Sequence, residues 1–189
     1  EHLTVNGCAQ VGYNDYNGHL SMTNCLLAGV QLMGDIPYST NHVAIPSTNE
    51  VVFQTVGAGA SYLANGSPYR NAGITNINST LLADLRGKTT YPPILYSNYT
   101  FTVDTTLVPQ AARDLDTPDL GYHYDPVDYL ADYLWITNAT LTVTNGAVIA
   151  GYNDQDLSVT DGSSIVSFGS TQQPNWITRY SCGQELPLA

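Results

Sequence analysis

The stretches LTVNGCAQVGYNDYNGH (residues 3–19) and LTVTNGAVIAGYNDQD (residues 141–156) carry one pattern, and a further copy follows each of them: LSMTNCLLAGV (20–30) and LSVTDGSSIVSFG (157–169). Every copy reads Leu, then Thr or Ser, then Val or Met, before a turn-forming Asn, Asp or Gly and a second apolar run. Alternation of apolar and polar residues over four or five positions is typical of a half-buried strand. The pattern therefore predicts short strands joined by tight turns.

The spacing of the copies predicts how the strands stack. Leu3 aligns with Leu20, Leu141 aligns with Leu157, and a partial copy opens at Leu134. The period, about 16 to 17 positions, is too short for a helical repeat or a propeller blade. It matches the rungs of a parallel β-helix, a solenoid in which equivalent side chains stack in ladders. We therefore expect an all-β fold of solenoid rungs; the alternative is a β-sandwich, because regular turn spacing serves both folds.

The distribution of the pattern divides the chain into three segments. We expect solenoid rungs over residues 1–60, an irregular closing segment over 61–133, and a second stretch of rungs over 134–189. The closing segment contains one predicted helix at 79–86, which Asn78 or Ser79 can cap. It also contains a long connecting loop rich in Asp and Pro, and loops of this length usually carry function or join modules.

Composition excludes several classes of partner. Only 11% of the residues are charged, against about 25% in ordinary globular proteins. The net charge is −11 with five dispersed Lys and Arg residues, so the chain would repel phosphate backbones and anionic lipid. No apolar run long enough to span a membrane and no signal peptide occurs. We expect no nucleic acid partner, no membrane insertion, and an exported chain that is a mature product or a portion of a longer protein.

The three cysteines predict at most one internal disulfide. Cys8 and Cys25 are adjacent under the repeat alignment and form the candidate pair. An odd number leaves one thiol over, so Cys182 is expected to be unpaired or to form an intermolecular link.

Acidic residues supply the candidate metal and catalytic sites. Asp114, Asp116 and Asp119 are candidate calcium ligands, because carboxylate oxygens on a turn suit that ion. The alternative is that these Asp residues cap turns through the backbone. Asp154 and Asp156 stand two apart in a repeat, but no basic cluster accompanies them. A lyase would need such a partner, so we expect no catalytic residues and no cofactor other than calcium.

Other polar residues add weaker signals. His123 lies between two tyrosines and is expected to be packed or hydrogen-bonded rather than catalytic. The 14 tyrosines suit either strand packing or stacking on sugars. Four sequons permit N-glycosylation of an exported chain, at Asn65, Asn78, Asn98 and Asn138.

Two elements carry a resemblance to a known group of proteins. GSPYRNAG (residues 66–73) resembles an element near the ends of bacterial right-handed parallel β-helix domains, and RDLDTPDLGYHYD (residues 113–125) resembles the closing element of the same group. The run from 57 to 129 is similar to a segment found in a subset of very large secreted β-helix repeat proteins. The resemblance implies a solenoid on an exported, often cell-surface, chain and implies no activity.

These observations lead to one functional expectation and one alternative. We expect a non-catalytic extracellular structural module, a building block of a cell-surface stalk or self-assembling fibre. Its partners would be copies of itself, joined end to end or by strand edges, or the rest of a longer chain. The alternative is a β-helix that binds or cleaves carbohydrate, for which glycans would be the partner.

Overall fold

The computed structural model describes residues 1–13, 18–153 and 157–185 of a mostly β protein. Strands account for 43% and helix for 6%, so the all-β prediction is confirmed. The chain forms two compact units. Unit 1 consists of Glu1–Gln54, Ser61–Thr90 and Arg113–His123, and unit 2 consists of Thr55–Ala60, Tyr91–Ala112 and Tyr124–Ala189.

Unit 1 begins with five strands that pair in parallel. They are β1 (Thr4–Asn6), β2 (Gln10–Gly12), β3 (Leu20–Ala28), β4 (Leu32–Gly34) and β5 (Tyr38–Ala44). The sheet order is β1–β3–β5, and β2 pairs with β4. Thr4 is level with Leu26, and Leu20 is level with Tyr38. Two short strands, β6 (Phe53–Val56) and β7 (Gly59–Leu63), follow.

Unit 2 repeats the parallel arrangement with more strands. They are β8 (Ile94–Phe101), β9 (Thr105–Leu107), β10 (Tyr129–Ile136), β11 (Thr140–Thr144), β12 (Val148–Gly151), β13 (Leu157–Val159), β14 (Ser164–Phe168) and β15 (Trp176–Arg179). β10 pairs with β8, β12 and β13, β11 pairs with β9 and β14, and β12 pairs with β15. A short 3-10 helix, Tyr180–Cys182, follows β15.

The observed register corrects the predicted repeat period. Leu141 pairs with Ile165 rather than with Leu157. Leu157 instead pairs with Leu134. Strands separated by the predicted period do not pair with each other. Paired strands lie farther apart in the sequence, because an additional strand and turn lie between them. For the same reason β1 pairs with the second half of β3, and Leu3 does not align with Leu20.

The segment predicted to be irregular contains ordered strands, which corrects the predicted boundaries. β8 and β9 lie within residues 61–133 and pair with β10 and β11. A long loop separates these strands from their partners along the chain, and this loop hides the repeat. The helix α1 spans Ser79–Leu85, and the Asn78 side chain caps it by accepting from the amides of Thr80 and Leu81. No helix in the described part of the chain is long and apolar enough to span a membrane.

A ladder of residues with left-handed backbone bends the strands of unit 1. This unit 1 corner consists of His2 (φ 53°), Asn24 (φ 54°) and His42 (φ 52°). Asn24 and His42 are equivalent because their neighbours on both sides pair. The His2 amide donates to the Thr23 carbonyl at 2.9 Å, which places His2 beside Asn24. Asparagine tolerates this conformation better than most residues, and only glycine adopts it freely.

Unit 2 has an equivalent ladder, the unit 2 corner, made of Asn98 (φ 48°), Tyr133 (φ 57°) and Asn153 (φ 74°). Asn98 is level with Tyr133 because Ser97 and Tyr99 pair with Asp132 and Leu134. Gly151 pairs with Ala131. Asn153 and Tyr133 each lie two residues beyond this pair and are therefore level with each other. The side-chain nitrogen of Asn153 also donates to the Asp132 carboxylate at 2.9 Å.

The first strand of unit 2 supplies an aromatic layer to its core. This layer consists of Tyr96, Tyr99 and Phe101, and the ring of Tyr129 from β10 packs against it. The centroids of the rings in contact lie 5.0 to 5.9 Å apart. Tyr96 pairs with Ala131 and Phe101 pairs with Ile136, and both partners are buried in the main core cluster of unit 2. Paired residues of a parallel sheet point to the same face. The rings therefore cover the aliphatic core at the β8 edge.

Candidate functional site

The two elements that carry the family resemblance lie against each other in unit 1. The Asn71 amide donates to the Asp119 carboxylate at 2.7 Å. The Gly73 amide donates to the Pro118 carbonyl, and the Leu120 amide donates to the Tyr69 carbonyl, each at 2.9 Å. Segments 66–73 and 113–123 are thus fastened by main-chain bonds and by one buried carboxylate.

Asp119 is the buried carboxylate that joins these segments. One of its oxygens accepts from Asn71, and the other accepts from the hydroxyl of buried Thr90. Burial raises the pKa of Asp119, while the hydrogen bonds from Thr90 and Asn71 act in the opposite direction. Because donors occupy both oxygens, Asp119 serves as an acceptor for the surrounding chain.

Asp114 and His123 form a buried pair beside Asp119. Asp114 Oδ2 lies 2.7 Å from His123 Nε2 and also accepts from the Asp119 amide at 2.9 Å. The other ring nitrogen, His123 Nδ1, lies 3.0 Å from the Gly121 carbonyl. Both ring nitrogens therefore face acceptors, and the ring is held on both sides. The sequence indicated a packed, hydrogen-bonded His123, and this is what the structure has.

Two residues of the unit 1 corner complete the cluster. Asn24 is fully buried; its side-chain oxygen accepts from the Ile74 amide, and its nitrogen donates to the Ile74 carbonyl, both at 2.9 Å. The same nitrogen lies 2.8 Å from His2 Nε2. The rings of His2 and His123 meet edge to face with centroids 5.6 Å apart. Burial, and then repulsion by His123, lower the pKa of His2 to about 4.

This cluster does not suit calcium. Side-chain atoms of Asp114, Asp119 and His123 lie within 4.8 Å of one another. Calcium takes six to eight oxygen ligands, whereas this set holds an imidazole and carboxylate oxygens already engaged by donors. Asp116, the third candidate from the sequence, is exposed. The structure thus brings Asp114 and Asp119 together, does not include Asp116, and adds His123.

No protein-family model, no curated protein and no solved structure matches this chain. The chemistry of the cluster must therefore be judged from its own geometry. A glycosidase needs two carboxylates in an open cleft, but Asp114 and Asp119 are buried and bonded to the chain around them. The arrangement can hold backbone segments in place. Asp154 and Asp156 lie outside the described residues.

Unit 2 uses a buried carboxylate in the same way. Asp128 is fully buried, and its two oxygens accept from the amides of Gln110, Ala111 and Val148 at 2.9 to 3.0 Å. These bonds satisfy two loop amides and the first amide of β12. Asp119 and Asp128 thus accept from amides 17 to 48 residues away in the sequence rather than capping a turn of their own backbone.

The remaining predicted residues are dispersed. Cys25 is buried, Cys8 and Cys182 are exposed, and all three are free thiols. The observed register also separates Cys8 from Cys25, since the Cys8 carbonyl accepts from Gln31. The sequon asparagines are all exposed: Asn65, Asn78, Asn98 and Asn138.

Sequence reasoning missed His2 and Asn24. Both lie far in sequence from the segments 66–73 and 113–123 that they contact. The available signal was Asn24 itself, a residue that tolerates left-handed backbone, within a mostly apolar strand. His2 had no comparable signal, because its role depends on the register of β1 against β3.

Proposed function

We propose that this chain is a non-catalytic structural module of an extracellular protein, built as a parallel β-solenoid and used in a stalk or self-assembling fibre. Its immediate partner is a further rung, contributed by a second copy or by more of a longer chain. Its place would be the cell surface or the extracellular space.

The direction of strand pairing carries the proposal. All nine strand pairs with a defined register among the described residues are parallel. Parallel neighbours need a long crossover, which is usually an α-helix. Here strands and turns make most of the crossovers, as between β10 and β12, where β11 intervenes. A chain that coils in successive rungs accounts for this, whereas a β-sandwich of antiparallel sheets does not.

The two corner ladders support the same architecture. In each unit, left-handed residues stand level with one another on paired strands. Stacking of one bend on the next is what repeated rungs would produce, because each rung must turn at the same place.

The last strands of unit 2 support stacking onto another rung. Within the described chain, β13, β14 and β15 each pair on one side only. Such edges present unpaired amides and carbonyls. Large apolar side chains stand on them, including Ile177 and Trp176, which are 59% and 58% exposed. An uncovered edge of this kind favours association with another strand.

Electron microscopy and light scattering of the purified protein test this proposal, with one pair of variants. Filaments with a regular axial repeat, or oligomers that grow with concentration, are expected. Ile177→Lys should abolish them, because a charge on the open edge opposes strand addition. Leu115→Lys is the matched control, since Leu115 is an exposed aliphatic residue outside the strands, at 68% exposure. Compact monomers at every concentration would contradict the proposal that copies of this chain assemble with one another.

One observation favours carbohydrate binding as a second candidate. A cavity of about 490 Å³ in unit 2 is lined by Trp176, Asp125 and Thr178 among others. An exposed indole face beside polar groups can stack on a sugar ring. Oligosaccharides should then alter the fluorescence of Trp176. Trp176→Ala should remove binding and Trp135→Ala should retain it, whereas an unchanged fluorescence of the parent protein would exclude this candidate.

A further inference from the structure

The orientation of the Asn24 amide dictates the protonation state of His2. Rotating this amide by half a turn would break both of its hydrogen bonds to Ile74, so its nitrogen must face His2 Nε2. A nitrogen that receives a hydrogen bond needs a free lone pair. His2 in this position is therefore the neutral ring with its proton on Nδ1.

The surroundings of His2 also oppose a positive charge. Burial lowers the pKa of His2 most, and His123, whose ring centroid lies 5.6 Å away, lowers it further. The Gly121 carbonyl and the Asp114 carboxylate act in the opposite direction but do not reverse the balance. The titratable groups that face His2, on its own segment, on segment 113–123 and across a small cavity beside α1, are Glu1 with its α-ammonium group, Asp84, Lys88, Asp114, Tyr122 and His123.

His2 anchors a strand that has few other attachments. β1 has three residues, which pair with Leu26–Ala28 at one edge of the sheet. The His2 amide donates to Thr23, and Thr4 Oγ1 accepts from the Tyr122 amide at 2.7 Å. Short edge strands open with a lower free energy than the core. The state of His2 therefore has a large influence on whether β1 stays paired.

We propose that His2 is a proton-operated latch, which releases β1 from the edge of β3 when it is protonated in mildly acidic solution. A proton on Nε2 would face the Asn24 N–H group and place a positive charge beside the His123 ring. A released His2 has an ordinary pKa of 6.5, whereas the bound ring has a pKa of about 4. Between these values the released strand takes up a proton that the paired strand cannot hold. The latch is closed above pH 6.5 and weakens as the pH falls toward 4.

Hydrogen exchange in the intact chain tests the latch. Two amides report on β1 pairing: Leu26, which donates to the Leu3 carbonyl, and Gly7, which donates to the Ala28 carbonyl. After correction for intrinsic exchange, the opening constant should rise about tenfold from pH 7 to pH 5, less than the full shift implies because His2 is partly solvated.

Two substitutions isolate the role of His2. His2→Gln keeps an acceptor for Asn24 but cannot be protonated, so its opening constant should not respond to pH in this range. His42→Gln is the matched control, because His42 occupies the next position of the unit 1 corner but is exposed. It should retain the full response.

Two results would overturn the latch: an opening constant of the parent protein that is flat between pH 7 and pH 5, or a response that survives in His2→Gln. An NMR titration of the His2 ring in the unmodified protein keeps the test decisive if His2→Gln folds poorly. A ring that stays neutral below pH 5 supports the latch, and a ring that titrates near its ordinary pKa rejects it.

Discussion

The unit 1 corner and the unit 2 corner use the same backbone conformation for different purposes. In unit 1, the central residue Asn24 is fully buried and its side chain binds the loop at Ile74 as well as His2. In unit 2, the central residue is Tyr133, which is partly exposed, and its neighbours Asn98 and Asn153 are at the surface. The bend in unit 2 therefore only turns the chain, whereas the bend in unit 1 turns the chain and also holds a neighbouring loop.

The difference follows from what lies beyond each corner. Segment 113–123 and the loop at Ile74 lie against the unit 1 corner, so polar atoms there are cut off from water and must be satisfied internally. At the unit 2 corner water can satisfy the same groups. Changes at the first corner should consequently cost more than equivalent changes at the second.

The largest expected effect is that of Asn24→Ala compared with Asn98→Ala. The first substitution removes three hydrogen bonds, leaves partly buried groups of Ile74 unpaired and empties the fully buried site of the Asn24 side chain, which should lower the free energy of unfolding by about 4 kcal/mol. Asn98→Ala should cost about 1 kcal/mol, because it loses mainly the tolerance of left-handed backbone. Urea denaturation followed by circular dichroism measures both, and equal losses would contradict the distinction between the corners.

The next effect concerns the carboxylate behind the unit 1 corner. Asp114→Ala leaves the buried His123 ring without its partner and should lower the free energy of unfolding by about 3 kcal/mol. Asp116→Ala, two residues away and exposed, should change it by less than about 0.5 kcal/mol. Thermal unfolding of the two variants in parallel provides the measurement. A large decrease in the free energy of unfolding for Asp116→Ala would show that Asp116 belongs to the cluster.

A smaller effect, of opposite sign, is expected at the unit 2 corner. Tyr133 is a bulky residue at φ 57°, where asparagine would be less strained. Tyr133→Asn should raise the free energy of unfolding by about 0.5 kcal/mol, since the backbone strain that is relieved exceeds the burial lost by a ring that is 38% exposed. His42→Asn should change stability less, because histidine already tolerates this region. Destabilisation by Tyr133→Asn would mean that packing of the ring outweighs backbone strain.

The smallest expected effect is that of metal ions. Because donors already occupy Asp114 Oδ2 and both oxygens of Asp119, a chelator or millimolar calcium should shift the melting temperature by less than about 1 °C. Differential scanning calorimetry with and without each reagent tests this. A rise of several degrees with calcium, lost in Asp119→Ala, would show that the cluster opens to bind the ion.

Local signals in the sequence predicted the elements better than their partners. Asn145-Gly146 forms a turn with positive φ at both residues, and the Asn78 cap begins α1, because both depend on neighbouring residues alone. The register depends on the lengths of all the intervening turns, so Leu141 and Leu157 resemble each other yet lie on strands that do not pair.

The candidate site shows the same limit. Asp114 and Asp119 stand close in sequence on one loop, and their closeness in space was predictable. His2 and Asn24 reach them only after β1 has paired with β3 and segment 113–123 has folded over both. A cluster assembled from such distant parts leaves no spacing pattern in the sequence.

The aromatic layer on β8 has a consequence for the order in which unit 2 is made. Synthesis from the N-terminus delivers Tyr96, Tyr99 and Phe101 before the strands that pair with them. Each later strand can add to an edge already in place, from β10 to β12 and then to β15. The rings are thus present before the later strands are synthesised, and folding during synthesis needs no rearrangement of the earlier strands.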